Sequence, residues 1–296
     1  MANLKEIRSR ITSVSSTRQI TSAMKMVSAA KLKRAQDAIT QMRPYAEKLQ
    51  ELLGNLSASA DVAGTDSKYT EAREVERILL VCITSNRGLA GAFNSAVIKA
   101  TMNRIKQVHA DKDVVVLSIG KKASDFFKKT EYHIQGSTLP GNLERLYDDL
   151  NFNDVAEVAE KVMKRFVAGQ FDKVELIYNQ FVNAASQVVQ VEDFLPIKPA
   201  EKQEEEEEVE TEYIFEPNKE FIFKELIPKS LKIQFYKAIL DSYAAEHGAR
   251  MTAMHKATDN ATELIDDLKL VYNKARQASI TNEILEIVGG AEALNN

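Results

Sequence analysis

The chain has 296 residues and a formal net charge of −4, and hydrophobic residues make up 44% of it, which is enough for a buried core. Its single cysteine, Cys82, excludes an internal disulfide. No apolar run approaches the length of a membrane-spanning helix, and charged residues interrupt positions 1–16, which excludes a secretory signal there.

The first predicted element is a long helix, assigned to residues 1–58. Apolar residues recur at intervals of three and four, and the register slips between groups as it does at coiled-coil stutters. Pro44 is expected to kink or interrupt this helix, and Gly54 to end its regular part. The predicted contact seam consists of Leu4, Ile7, Ile11, Val14, Ile20, Met24, Val27, Leu32, Ala35, Ile39 and Met42.

The same helix is strongly basic. Residues 1–36 contain eight basic side chains and one acidic side chain, Glu6. Three interpretations remain open at this point: a solvated face, a nucleic-acid patch, or a helix inserted among acidic surfaces. Nucleic-acid binding is disfavoured because the first 44 residues contain no aromatic side chain and the whole chain is acidic.

The middle of the chain, residues 75–197, predicts an α/β domain. Apolar, β-branched runs predict four strands, and amphipathic segments between them predict helices. Strands separated by helices favour a mostly parallel, Rossmann-like sheet with helices on both sides. The predicted strands are 77–84, 113–119, 173–179 and 187–194, and the predicted helices are 89–108, 121–129 and 154–168.

An acidic segment and a second long helix complete the chain. Residues 201–212 contain eight acidic side chains and one lysine, which predicts a solvated loop over 198–217. Residues 218–296 are assigned to the second helix, whose regular part covers 228–288. Its small and polar seam is weak for a coiled coil, so the two helices form either an ordinary pair or a slender pair that passes through a narrow opening. The predicted seam is Leu240, Tyr243, His247, Arg250, Met254, Ala257, Ala261, Leu264, Leu268, Val271, Ala275 and Ala278.

The segment 85–94, which follows the first strand, lies where a phosphate-binding loop would lie. It contains Gly88 and Gly91 but matches neither nucleotide-binding glycine pattern, so a structural turn is the favoured interpretation. The four histidines are scattered, and Cys82 lies within a predicted strand. We therefore predict no cofactor, no metal site and no catalytic residue in this chain.

Several segments closely resemble the γ subunit of bacterial F-type ATP synthases. They are residues 7–11 and 20–31 near the start, 85–94 in the middle, and 248–254, 257–261 and 272–283 near the end. The resemblance extends from the first residues to Ala293. It is most specific around 276–281 and does not extend across the acidic loop.

The resemblance implies a fold and a function. The terminal helices are expected to form an antiparallel coiled coil inside a collar of α and β subunits, while the α/β domain binds the ε subunit and the membrane ring of c subunits. The chain would then be a non-catalytic rotating shaft, peripheral to the cytoplasmic face of the bacterial inner membrane. It would couple proton-driven ring rotation to the β-subunit catalytic sites.

The resemblance also assigns roles to individual residues. Met24 lies where the family's shaft passes an acidic loop of the β subunit. Arg276, Gln277 and Thr281 match positions that contact the collar, and Arg87 is assigned to the lower collar. All five are expected to be coupling contacts.

Two other classes of function remain as alternatives. A coiled-coil scaffold with a non-catalytic α/β domain predicts a stable homodimer that needs no ATPase subunits. A nucleotide-binding enzyme that uses the 88–91 turn predicts measurable ATP affinity in the purified chain.

Overall fold

The computed structural model describes residues 4–58, 69, 73–134, 139, 143–197 and 219–295. The predicted acidic loop, 198–217, lies outside the described residues. The chain divides into two compact units: one comprises residues 1–29 and 250–296, and the other residues 30–249.

Two long helices contribute to both units. Helix α1 covers Leu4–Ala58 and helix α5 covers Lys219–Asn295. The expectation that Pro44 interrupts the first helix is wrong, because α1 continues through it, as α5 continues through Pro228. Pro44 is exposed, so water can solvate the carbonyl that loses its helical hydrogen bond there.

The unit of residues 30–249 is built around a four-stranded sheet with the order β2-β1-β3-β4. The strands are β1 Arg77–Ile83, β2 Asp113–Ile119, β3 Lys173–Asn183 and β4 Ser186–Leu195. Strand β1 pairs in parallel with β2 and β3, whereas β4 pairs antiparallel with β3. The prediction of a mostly parallel sheet is confirmed.

Helices cover both faces of this sheet. They are α2 Phe93–Asn103, which continues as a π-helical turn over Arg104–Val108, α3 Lys121–Phe127 and α4 Phe152–Val167; Glu144–Tyr147 forms a short 3-10 helix. Side chains of β1 alternate between two cores, as a strand buried on both faces requires. Leu79, Val81 and Ile83 pack with α4 and α5, while Ile78, Leu80 and Cys82 pack with α2 and α3.

Local sequence signals fix the ends of these elements. The Asn151 side chain caps α4 by accepting a hydrogen bond from Asp154 N at 3.0 Å. Helix α2 begins at Phe93, later than predicted, because Leu89 and Gly91 adopt positive φ angles of 63° and 58°. In the β3–β4 hairpin, Asn183 Oδ1 accepts hydrogen bonds from Ala185 N and Ser186 N.

The other unit is an antiparallel helix pair. Arg8 Nη2 donates to Tyr272 Oη at 2.8 Å, Thr21 and Thr258 share a hydroxyl hydrogen bond of 2.8 Å, and Lys25 Nζ lies 3.3 Å from His255 Nδ1. As the residue number on α1 rises from 8 to 25, the number of its contact residue on α5 falls from 272 to 255. The predicted antiparallel pairing is confirmed.

The composition of the seam differs from the prediction at several positions. Ile20 and Val27 of α1 are 60% and 58% exposed, while Thr21 and Ser28 are 8% and 2% exposed. On α5, Leu264 and Val271 are exposed, whereas Ile265 is buried and Tyr272 is half-buried. The contact stripe is therefore rotated by one residue at these points, and hydroxyl groups take the place of the expected aliphatic side chains.

Candidate partner-contact surfaces

The antiparallel pair carries an outward-facing apolar strip on α1. It consists of Ile20, Met26 and Val27, all more than half exposed. Basic side chains such as Lys5 and Arg10 are exposed on the same helix. A mixed basic and apolar surface suits contact with another protein better than with water alone. The sequence prediction missed this strip because it assigned Ile20 and Val27 to the seam.

Met24 lies at the border between the seam and the outer face. Its side chain is half-buried, and its carbonyl accepts a 2.8 Å hydrogen bond from Ser28 Oγ. The neighbouring Lys25 contacts His255, which also lies 3.4 Å from Asp259 Oδ2. Met24 is thus an unbranched, adaptable side chain beside a polar contact between the helices.

Arg276, Gln277 and Thr281 are all exposed on the last part of α5. Thr281 Oγ1 donates to Gln277 O at 3.0 Å, so the threonine is satisfied within its own helix. Further exposed apolar side chains follow on the same segment: Ile280, Ile284, Leu285, Ile287 and Val288. Such a series on one helix marks a surface that fits a protein partner.

Arg87 is exposed on the β1–α2 turn, in the other unit. Ser85 Oγ donates to Arg87 O at 2.7 Å, and Asn94 Oδ1 accepts from Ser85 N at 2.9 Å. Asn86 joins the turn to its neighbours, since its Nδ2 donates to Glu144 O and its Oδ1 accepts from Lys121 N. These bonds make a rigid turn and commit the Ser85 amide that a phosphate would need.

The predicted contact residues do not form a single site. The hydrogen bonds of the helix pair place residue 24 of α1 beside residues near 255 of α5, whereas Arg276 lies about 20 residues further along α5, a distance of about 30 Å. Arg87 belongs to the other compact unit. Met24 and Arg276 are therefore separate surface positions on the helix pair.

The cysteine side chain lies in an environment that disfavours its ionised form. Burial raises the pKa of the Cys82 thiol to about 12, which disfavours the nucleophilic thiolate. No group of three or more potential metal ligands occurs within the described ranges. Within the part of the chain that the structure describes, no helix is both long and apolar enough to cross a membrane.

The sheet also contains a buried charge cluster that sequence patterns do not reveal. Glu175 of β3 is fully buried and accepts two 2.8 Å hydrogen bonds from Arg104, and Lys173 Nζ and His109 Nε2 lie 2.7 Å and 3.3 Å from it. Burial alone raises the pKa of Glu175, but the bonds from Arg104 and Lys173 outweigh it and lower this pKa to about 2. The cluster fixes the π-helical turn against the sheet.

Comparisons with known proteins agree across the full chain. The family model described as ATP synthase matches residues 3–294. The chain is 61% identical over 295 residues to the ATP synthase gamma chain of Christiangramia forsetii, and 63% identical over 297 residues to that of Flavobacterium johnsoniae. Each comparison covers 100% of this chain and 100% of the relative.

Solved structures with a similar fold come from ATP synthase rotors. One is the central stalk and c-ring of the Tetrahymena thermophila mitochondrial ATP synthase, at 26% identity and a TM-score of 0.57, which covers 80% of this chain and 99% of that one. Another belongs to the Euglena gracilis mitochondrial enzyme, at 20% identity and a TM-score of 0.64, with 98% and 94% covered. At 20% identity, the second likeness establishes the fold.

Proposed function

Because the chain belongs to the ATP synthase gamma chain family, we propose that it is the central rotating shaft of an F-type ATP synthase. The observation that carries this proposal is the 61% identity to a gamma chain over the whole length of both proteins. The shaft would couple proton-driven rotation of a membrane ring to conformational changes at the β-subunit catalytic sites. This chain would supply surfaces to the reaction, and the partner chains would supply the groups that handle ATP.

The polar seam of the helix pair supports a rotating role. Contacts between the helices include a hydroxyl hydrogen bond between Thr21 and Thr258 beside buried apolar residues, while apolar Ile20 and Val27 face outward. Apolar side chains make no directional bonds, so an outer surface of this kind can move past a series of neighbours without a deep energy well. Exposed ion pairs are also weak, at about 0–1 kcal/mol, and can be broken at each step.

The five predicted contact residues take roles in this proposal. Met24 would pass an acidic loop of the β subunit, and Arg87 would face the lower collar. Arg276, Gln277 and Thr281 would contact the collar from α5. Their exposure, or half-exposure for Met24, is compatible with these contacts.

The proposed partners and location follow from the same assignment. The helix pair would lie within the α and β collar, and the α/β domain would bind the ε subunit and the c-subunit ring. Residues 1–58 and 218–296 would form the shaft, residues 75–197 the base domain, and residues 198–217 an acidic loop. The chain would be held at the cytoplasmic face of the inner membrane through the complex.

Purification of the tagged chain from its own cells tests the proposal. We expect α and β subunits to copurify with it. When ATP is supplied, the immobilised complex should rotate a bead attached to the α/β domain. An inhibitor of ATP hydrolysis by the α and β subunits should stop the bead. Recovery of a homodimer without ATPase subunits would contradict the proposal and favour the scaffold alternative.

A further inference from the structure

Helix α5 is held to the α/β domain at two separate places. The first is a large apolar core, in which Leu231, Phe235 and Ile239 pack with α4 and the sheet. The second is a small cluster of Ala90, Phe93, Ala245 and Ala249, against which Phe181 packs. The second cluster lies at the last residues of α5 within this unit.

The second contact is a close approach of two backbones. A Cβ atom built on Gly248 would lie 3.2 Å from the carbonyl oxygen of Ala184, 3.3 Å from its Cα and 3.4 Å from Phe181 Cε2. Ala184 lies between β3 and β4, so the hairpin tip rests directly on the helix. Glycine is unfavourable inside a helix, and at this position its lack of a side chain permits a close approach. A Cβ atom would already crowd the Ala184 backbone, and a larger side chain would have to displace it.

The end of the β1–α2 turn and the first residue of α2 also belong to this contact. Phe93 is buried against Ala245 and Ala249, and its carbonyl accepts a 3.0 Å hydrogen bond from Asn179 Nδ2 of β3. Asn179 is itself fully buried. The turn is therefore fixed to the sheet and to the helix at once, which gives the segment 85–94 a role that needs no nucleotide.

We propose that this contact is the joint through which the α/β domain transmits torque to α5, with Gly248 as its positioning residue. The inference rests on the proposed rotor function. The α/β domain can pass a twisting load to a helix only through atoms packed against the helix away from its axis, because close-packed contacts transmit strain. Phe93 and the Ala184 backbone supply such atoms, and small residues on α5 let them approach closely.

Gly248→Leu tests the joint in the assembled complex. The leucine forces the hairpin tip off α5 but leaves the large apolar core of Leu231 and Phe235 untouched, so we expect the complex to assemble. A bead on the α/β domain should show wider angular fluctuations when the collar is stalled with a non-hydrolysable nucleotide. Proton pumping per ATP hydrolysed should fall several-fold, while hydrolysis itself continues.

Lys237→Leu is the matched control, because it places a leucine on an exposed position of the same helix. It should keep both the fluctuations and the pumping ratio of the unaltered complex. If Gly248→Leu prevents assembly, Phe181→Ala decides the question, since it removes a ring from the contact without adding bulk. We expect Phe181→Ala to widen the fluctuations as well.

The outcomes separate this inference from the proposed function. An unaltered complex that does not rotate or pump would contradict the rotor assignment itself. An unaltered complex that rotates, together with unchanged fluctuations in Gly248→Leu or in Phe181→Ala, would overturn the joint alone. Equal loss in Lys237→Leu would also overturn it, because the effect would not depend on the Gly248 contact.

Discussion

Met24 shows at the scale of one residue how an adaptable side chain can serve a moving contact. We predict that Met24→Lys leaves an assembled complex that hydrolyses ATP but pumps protons poorly. A lysine beside Lys25 would form an ion pair with an acidic partner loop in some rotational positions only. A well of about 0.5–1 kcal/mol is enough to slow stepping several-fold.

The measurement for Met24 is ATP-driven acidification of membrane vesicles alongside phosphate release, at low and at high salt. High salt should restore part of the coupling, because it screens an exposed ion pair. Met24→Leu is the control, since it keeps the apolar character and volume. A pumping ratio in Met24→Lys equal to that of the unaltered enzyme at both salt concentrations would show that Met24 is not a coupling contact.

A second prediction at the residue scale concerns the contribution of Glu175 to stability. Glu175→Gln should lower the free energy of unfolding of the isolated chain by about 3 kcal/mol, because it leaves Arg104 without its buried counter-charge and Lys173 with Asp193 alone. Glu157→Gln is the control: its partner Lys161 and Glu157 itself are largely exposed, so the loss should stay below about 0.5 kcal/mol. Urea unfolding at neutral pH measures both.

The pH dependence of unfolding tests the same carboxylate. Its pKa is about 2 in the folded chain and 4.5 ordinarily, so its stabilising effect is fully present above pH 4.5 and disappears as the pH falls towards 2. Glu175→Gln should remove this part of the acid destabilisation. Parallel stability curves for the two proteins between pH 5 and pH 3 would contradict the assignment.

For Asp241 of α5 we predict the opposite dependence of stability on pH. Burial is the main cause that raises its pKa to about 6; Glu192 also raises this pKa, and Lys237 and Arg43 oppose the shift only in part. A carboxyl group with a raised pKa stabilises the fold at low pH and loses that effect as the pH rises through 6. Asp241→Asn should therefore raise the free energy of unfolding at pH 8 by about 1–2 kcal/mol, with little gain at pH 4. Lower stability at pH 8 would contradict this.

At the scale of elements, the pairing of α1 with α5 can be tested by crosslinking. Thr21→Cys with Thr258→Cys, in a Cys82→Ser background, should form a disulfide on mild oxidation, because the two hydroxyl oxygens are 2.8 Å apart. Thr21→Cys with Val271→Cys is the control, since the bond between Arg8 and Tyr272 places residue 271 near the other end of the pair. Electrophoresis under non-reducing conditions measures both, and an efficient bond in the control pair would contradict the register.

The same two helices show which structural features the spacing of apolar residues predicts correctly. Spacing of apolar residues predicted both helices and the seam at Ile7, Met254 and Ala261, all of which are buried. It failed at Ile20 and Val27, because hydrophobicity alone does not say which of two surfaces a side chain contacts. The strands were easier, since β1, β2 and β3 each include a largely apolar run that is buried on both faces of the sheet, although the buried Glu175 interrupts this run in β3.

At the scale of the whole molecule, two features of the fold could not be derived from patterns. Contact between Gly248 and the β3–β4 hairpin joins residues far apart in the sequence, and a single helical glycine gives no sign of its partner. The cluster around Glu175 likewise joins β3 to Arg104 of the π-helical turn and to His109, which follows that turn. Each depends on the tertiary arrangement of elements whose local signals are ordinary.

A prediction for the whole chain is that it does not bind ATP by itself. The β1–α2 turn, which is the position where an α/β sheet would hold a phosphate, has its Ser85 amide bonded to Asn94 and carries the exposed Leu89 in a left-handed conformation. Phe93, the first residue of α2, is buried against α5, so the start of that helix is occupied by packing. Titration calorimetry of the purified monomeric chain with magnesium ATP should give no saturable heat, while the intact complex measured in parallel should bind. Micromolar affinity of the isolated chain would contradict the prediction and favour the nucleotide-binding enzyme, and Asn94→Ala would then be the first variant to locate the site.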